Sequence, residues 1–151
     1  MYVTVVTDQP LVAAVMLGLG GGMRSFAPAV AFAVNGRRPL AGPGRFLAFA
    51  GGVGELIVDK LPQTPSRWSP QGVGGRVVIS GIAGWGLDRW RGAGIAALAA
   101  VAAAYAGSRL RIAIHDEPLQ LTAAVMEDTL SYGLVLAAVR GHAEGTRGGS
   151  T

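Results

Sequence analysis

Cysteine does not occur in this 151-residue chain, so disulfides and thiolate metal sites are excluded. Charge is scarce as well. Charged residues make up 15% of the chain, against about 25% in ordinary soluble domains. Aromatic residues reach only 7%, and lysine occurs once, as Lys60, beside twelve arginines. A soluble core needs more large side chains than these. What remains is abundant in Ala, Gly, Val and Leu, half of the chain is hydrophobic, and the mean hydropathy is +0.41. Small residues suit helices that pack in lipid, where contact depends on close backbone approach rather than on a hydrophobic drive. The composition therefore points to a single helical membrane domain over residues 1–140, with a polar, Gly-rich tail at 141–151 that frays.

The net charge of +4 would suggest nucleic acid in a soluble protein. Here the arginines fall in short clusters between apolar runs, with no basic stripe interleaved with aromatics, which argues against that partner. The clusters read instead as topology-setting charge. The first apolar run has no positive charge before it, so it reads as a retained span rather than a signal peptide.

Five apolar stretches can be drawn, at 10–34, 46–61, 73–87, 92–107 and 119–139. The fold expected is all-α and polytopic, with about five spans; the first and last reach the roughly 20 residues of a perpendicular span, and the three between are shorter. The first stretch is interrupted by Gly20-Gly21-Gly22-Met23-Arg24-Ser25 and Pro28, since glycine weakens and proline breaks a helix. It is either one kinked helix or two half-helices, and Gly18 with Gly22 also offers a small-residue packing face. The charge-free fourth stretch reads as a scaffolding or lipid-facing helix. Residues 62–75, with three prolines and a Gly group, read as a loop, and Asp116-Glu117-Pro118 as a helix start.

Arg37, Arg38, Arg45, Arg89, Arg91, Arg140 and Arg147 fall on one side of such a bundle, and Arg67, Arg109 and Arg111 on the other. Five spans then place the N-terminus outside and the C-terminus inside. A split first helix adds a sixth, membrane-dipping segment and reverses that parity.

Seven ionisable residues lie within the apolar stretches: Arg24, Glu55, Asp59, Lys60, Arg76, Glu127 and Asp128. An unpaired charge at the bilayer centre costs about 2.5–3.5 kcal/mol on insertion scales, so these groups are expected to meet one another. Glu55 and Asp59 share a helix face, whereas the adjacent Glu127 and Asp128 point about 100° apart and address different partners. Three cations face four carboxylates. The residual negative charge suggests that a proton or cation is taken up. Lys60 can lose its proton when buried, which arginine cannot. The expected site is therefore Glu55, Asp59, Lys60, Glu127 and Asp128, with Arg24 and Arg76 as counter-charges. The opposing reading has Glu55 and Lys60 near the interface, snorkelling to water.

A repeat is also visible, with Gly22-Met23-Arg24 and Gly74-Gly75-Arg76 each followed by a helix with two acids. The Gly18–Gly22 run lacks the third glycine and distal acid of a dinucleotide-binding loop. His115, Asp116 and Glu117 read as capping residues rather than a metal site. No nucleophile, base and orienter come together, so neither an enzyme nor a bound cofactor is expected.

Three segments, Gly22-Met23-Arg24-Ser25-Phe26-Ala27-Pro28, Gly54-Glu55-Leu56-Ile57-Val58-Asp59-Lys60-Leu61-Pro62 and Met126-Glu127-Asp128, resemble a family of small bacterial membrane proteins known as domain of unknown function 4126. The similarity runs over about residues 18–139. Where family members often carry a Gly-Val-Asp-Ser-like run, this chain has Gln63-Thr64-Pro65-Ser66, without the acid. The resemblance implies residence in the bacterial inner membrane and marks Arg24, Glu55, Asp59, Lys60, Pro62, Glu127 and Asp128 as the shared pattern, with Gly22 and Pro28 in the first segment. It implies no activity. Together these readings lead to a homo-oligomeric helical transporter or channel for a small solute or ion, proton- or cation-linked. The alternative is a non-transporting membrane scaffold whose buried charges are structural salt bridges.

Overall fold

The computed structural model describes residues 9–35, 43–58, 70–114 and 116–148. Five helices account for nearly all of them: α1 (Gln9–Met23), α2 (Ala27–Val34), α3 (Pro43–Val58), α4 (Pro70–Ala113) and α5 (Glu117–Gly148). Each carries a proline as its first or second residue: Pro10, Pro28, Pro43, Pro70 and Pro118. Proline fits the first turn because its fixed φ suits a helix and its missing N–H would have no intrahelical partner there. Of the loop expected at 62–75, residues 70–75 are helical instead, and 62–69 lie outside the described residues. Once nucleated, α5 propagates past Gly141 to Gly148.

The expected break in the first stretch is real, and it yields two half-helices. The third and fourth stretches form the two arms of α4, separated at Asp88 (φ −147°, ψ 52°) and Arg89 (φ 40°, ψ −127°). The arms fold back on each other. A methyl group on Gly84 would collide with the carbonyl of Gly92, and one on Gly92 with that of Gly84, while Gly81 lies under the carbonyl of Ala93.

α1 is the central helix, and its glycines admit three neighbours in a single turn. Gly18 and Gly22 lie against the carbonyls of Ala96 and Ala100 on the second arm, Gly21 against Ser80 on the first, and Gly20 against Ser131 and Val135 of α5. The small-residue face expected from Gly18 and Gly22 is thus present, against the charge-free arm. Among the described residues, twelve of the buried hydrophobic ones are alanines and only Leu17, Phe32, Val135 and Val139 are larger. Cohesion rests on close helix approach rather than on bulky side chains.

The pairings fix direction. From Gly18 to Gly22, α1 advances along Ala96 to Ala100, parallel to the second arm. Pro28 meets Gly21 of α1 beside Ser80, and Phe32 lies over Gly86, so α2 runs with the first arm and returns antiparallel to α1. α1 and α2 therefore form a helical hairpin with its tip at Arg24-Ser25-Phe26. α3 packs on α2, with Phe26 over Gly51 and Val30 beside Gly52.

The large apolar side chains face outward: Phe46 is 75% exposed, Trp90 76%, Leu98 73%, Leu121 69% and Met126 67%. Two helical stretches, Gly72–Ala113 and Pro118–Gly141, are long and apolar enough to cross a membrane. Only 22% of the most apolar window of each is buried, which is unlike the core helix of a soluble protein. An apolar exterior of this extent marks a surface that meets lipid or other protein.

Candidate functional site: a charge network at a hairpin tip

The tip of the α1–α2 hairpin stands about midway along the bundle. Gly22 meets Ala100 and Ala103 near the middle of the second arm, and Asp128 lies near the middle of the Pro118–Gly141 stretch. A chain that stops helical pairing at this level must satisfy its backbone by other means.

The N–H of Arg24 still donates to Gly20 O (2.9 Å), and that of Ala27 to Arg24 O (3.1 Å). In a continuous helix the N–H groups of Ser25 and Phe26 would donate to the carbonyls of Gly21 and Gly22. They donate instead to Glu55, at 2.8 Å to Oε1 and 3.1 Å to Oε2. A carboxylate from α3 thus caps the start of α2, where the helix dipole favours negative charge. No side chain of α2's own N-cap residue, Phe26, performs this task.

Arg24 points to a different helix. Its Nε donates to Asp128 Oδ1 at 2.6 Å and its Nη2 to Asp128 Oδ2 at 2.7 Å. This is the bidentate geometry that arginine forms with carboxylates. The Arg24 side chain is 7% exposed and that of Asp128 30%. Ser131 Oγ donates to Gly20 O at 2.8 Å and ties α5 to the same turn of α1. Tyr132 lies within electrostatic reach of Glu55, Arg24 and Asp128. Asp128, Ser131 and Tyr132 follow the i, i+3, i+4 spacing of one helix face. That spacing could have flagged Ser131 and Tyr132, which sequence reasoning missed.

Not every expected site residue joins this network. Glu127 turns away to Arg111, whose Nη2 donates to Oε2 at 2.9 Å. The two adjacent acids therefore do address different partners. Arg76 is buried and donates from Nη1 to Gly72 O at 3.0 Å, within its own helix. Asp59, Lys60 and Pro62 lie outside the described residues, as does His115. The two halves of the proposed repeat are not equivalent locally: Arg24 stands at a break, whereas Gly74, Gly75 and Arg76 lie inside α4.

A groove of about 660 Å³ runs between α1, the second arm of α4 and α5, with Met23, Arg111 and Glu127 in its walls. A smaller apolar cavity of about 180 Å³ lies between α2 and the first arm, against Phe26 and Phe32. The chain matches no protein-family model, no curated protein and no solved structure.

Proposed function

We propose that this chain is a polytopic helical membrane protein that transports a small solute or ion, with Glu55, Arg24 and Asp128 as its switching site. The observation that carries the reading is the hairpin tip. A broken helix ends inside the bundle, and carboxylates from two other helices meet its free N–H groups and its arginine. Discontinuous helices that present their ends to a mid-bundle site are the architecture of many secondary transporters. A proton or cation arriving at Glu55 neutralises the carboxylate that holds Ser25 and Phe26, and so loosens α3 from the tip.

In this reading the α1–α2 hairpin enters and leaves on one side, followed by α3, the two arms of α4 and α5 as spans. The N- and C-termini then share a side with Arg45, Arg89, Arg91 and Arg140, which the positive-inside rule makes cytoplasmic. The five-span orientation with the N-terminus outside gives way to N-inside, C-inside. Bacterial inner-membrane residence, homo-oligomerisation, and kinship with the family its three segments resemble complete the proposal. The small-solute role requires neither enzyme chemistry nor a cofactor.

A second reading, a non-transporting scaffold, is favoured by one fact: Glu55, Asp128 and Glu127 all have protein partners already. Proteoliposome flux separates the two. Glu55→Gln or Asp59→Asn is expected to abolish a proton- or cation-dependent flux while leaving folding intact. Normal flux from both variants sinks the site. No flux from the wild-type protein, with loss of oligomer in the variants, supports the scaffold.

A further inference from the structure

The α4 hairpin presents an outward groove of about 550 Å³ between its two arms, bordered by Val78, Ile82 and Ala97 and closed at one end by Trp85 and Trp90. Its floor is formed by Gly81 and Gly94, and a side chain added at Gly94 would meet nothing within 4 Å. The two indole rings stand edge to face, 4.2 Å apart. Just beyond them is the Asp88–Arg89 turn. The Arg89 guanidinium lies 5.9 Å over the Trp85 ring, and Arg91, two residues on, is exposed.

Arg89 adopts φ 40°, a left-handed conformation that glycine enters freely and that costs other residues on the order of 1–2 kcal/mol. The turn would be better served by glycine, so its geometry does not account for an arginine there. The local charge is two arginines against Asp88, whose Cβ is turned towards Gly92 between the arms. The tryptophan end of an apolar groove thus carries a net positive, aromatic-lined rim.

We infer that this groove binds one anionic diacyl phospholipid, with an acyl chain along Gly81 and Gly94 and the phosphate at Arg89 and Arg91. Residues 77–85 span about 12 Å of helix, which fits within one leaflet of a bilayer core of about 30 Å. Trp85 and Trp90 then sit at the level where indoles favour the interface. A second copy of the chain, related by a twofold axis along the bilayer normal, would bring its own Arg89 and Arg91 to the same level, where like charges repel. A phosphate complements them. This inference rests on the membrane reading above but not on transport.

The test uses the whole protein purified in detergent and titrated with phosphatidylglycerol or phosphatidylcholine, with retention read by native mass spectrometry. Wild type is expected to retain phosphatidylglycerol preferentially. Each arginine at an anionic surface contributes about fivefold, so Arg89→Gln with Arg91→Gln lowers that preference roughly 25-fold. Arg89→Gly loses about fivefold without a lower melting temperature, which separates lipid recognition from folding. Gly94→Leu fills the groove and weakens both lipids alike. Equal retention of the two lipids by wild type overturns the site. So does a Gly94→Leu variant that changes oligomeric state and leaves phosphatidylglycerol retention untouched, because the groove then belongs to a second copy. Alkaline carbonate extraction tests the premise separately: release from the membrane sinks the membrane reading, whereas retention without lipid preference sinks only the lipid site.

Discussion

Replacing Asp128 with asparagine takes the bidentate carboxylate acceptor from Arg24, whose side chain is 7% exposed. Removing one partner of a fully buried pair costs about 3–5 kcal/mol, because the survivor stays desolvated. Asp128 is 30% exposed, so water screens part of its field and the expected loss falls to about 2–3 kcal/mol. The reverse change is milder. Arg24→Gln leaves Asp128, which reaches solvent through its exposed fraction, and costs about 1–2 kcal/mol. With both groups neutral no charge is stranded, so the double variant should cost little more than Arg24→Gln alone, a coupling of about 2 kcal/mol. The assay is denaturant unfolding of all four proteins in one detergent, followed by circular dichroism. Additive losses, or an Asp128→Asn variant as stable as wild type, would refute the claim that this pair holds the hairpin tip against α5.

Three further outcomes follow from the packing. Gly22→Val drives α1 off the carbonyl of Ala100 and should cost about 1–3 kcal/mol or more, whereas Gly94→Val, facing open space, should leave the melting temperature unchanged. Ser80 Oγ is buried and has no hydrogen-bond partner among the described residues, so Ser80→Ala should be neutral or stabilising by about 1 kcal/mol; a clear loss of stability would show that the hydroxyl serves a partner. The absence of cysteine makes single-cysteine labelling clean. Arg91→Cys and Asp116→Cys should react with a membrane-impermeant maleimide from opposite faces, and labelling of both from one face would refute the proposed topology.

Much of the architecture is written in local sequence. Five of the eight prolines open a helix, because a residue without an N–H fits only where none is needed. Gly20-Gly21-Gly22 with Pro28 marks the break, and Asp116-Glu117-Pro118 marks the start of α5. The divergence of Glu127 and Asp128 also follows from helix geometry alone, since adjacent residues point about 100° apart. Composition by itself set the mode of packing, with alanine and glycine inside and the bulky residues outside.

The tertiary structure decided what meets what. A break can bend a helix or reverse it, and the packing of Pro28 on Gly21 and of Phe32 on Gly86 turns α2 back along α1. The sequence spacing of Arg24, Glu55 and Asp128 says nothing of distance, because ion pairs between helices depend on the directions in which those helices pack. That packing gives Arg24 to Asp128, sends Glu127 to Arg111, and hands Glu55 to a backbone rather than to a cation. It also sets Trp85 against Trp90 across a turn whose strained residue, Arg89, has no signature in the sequence, since positive φ at a non-glycine residue is imposed by the arms on either side.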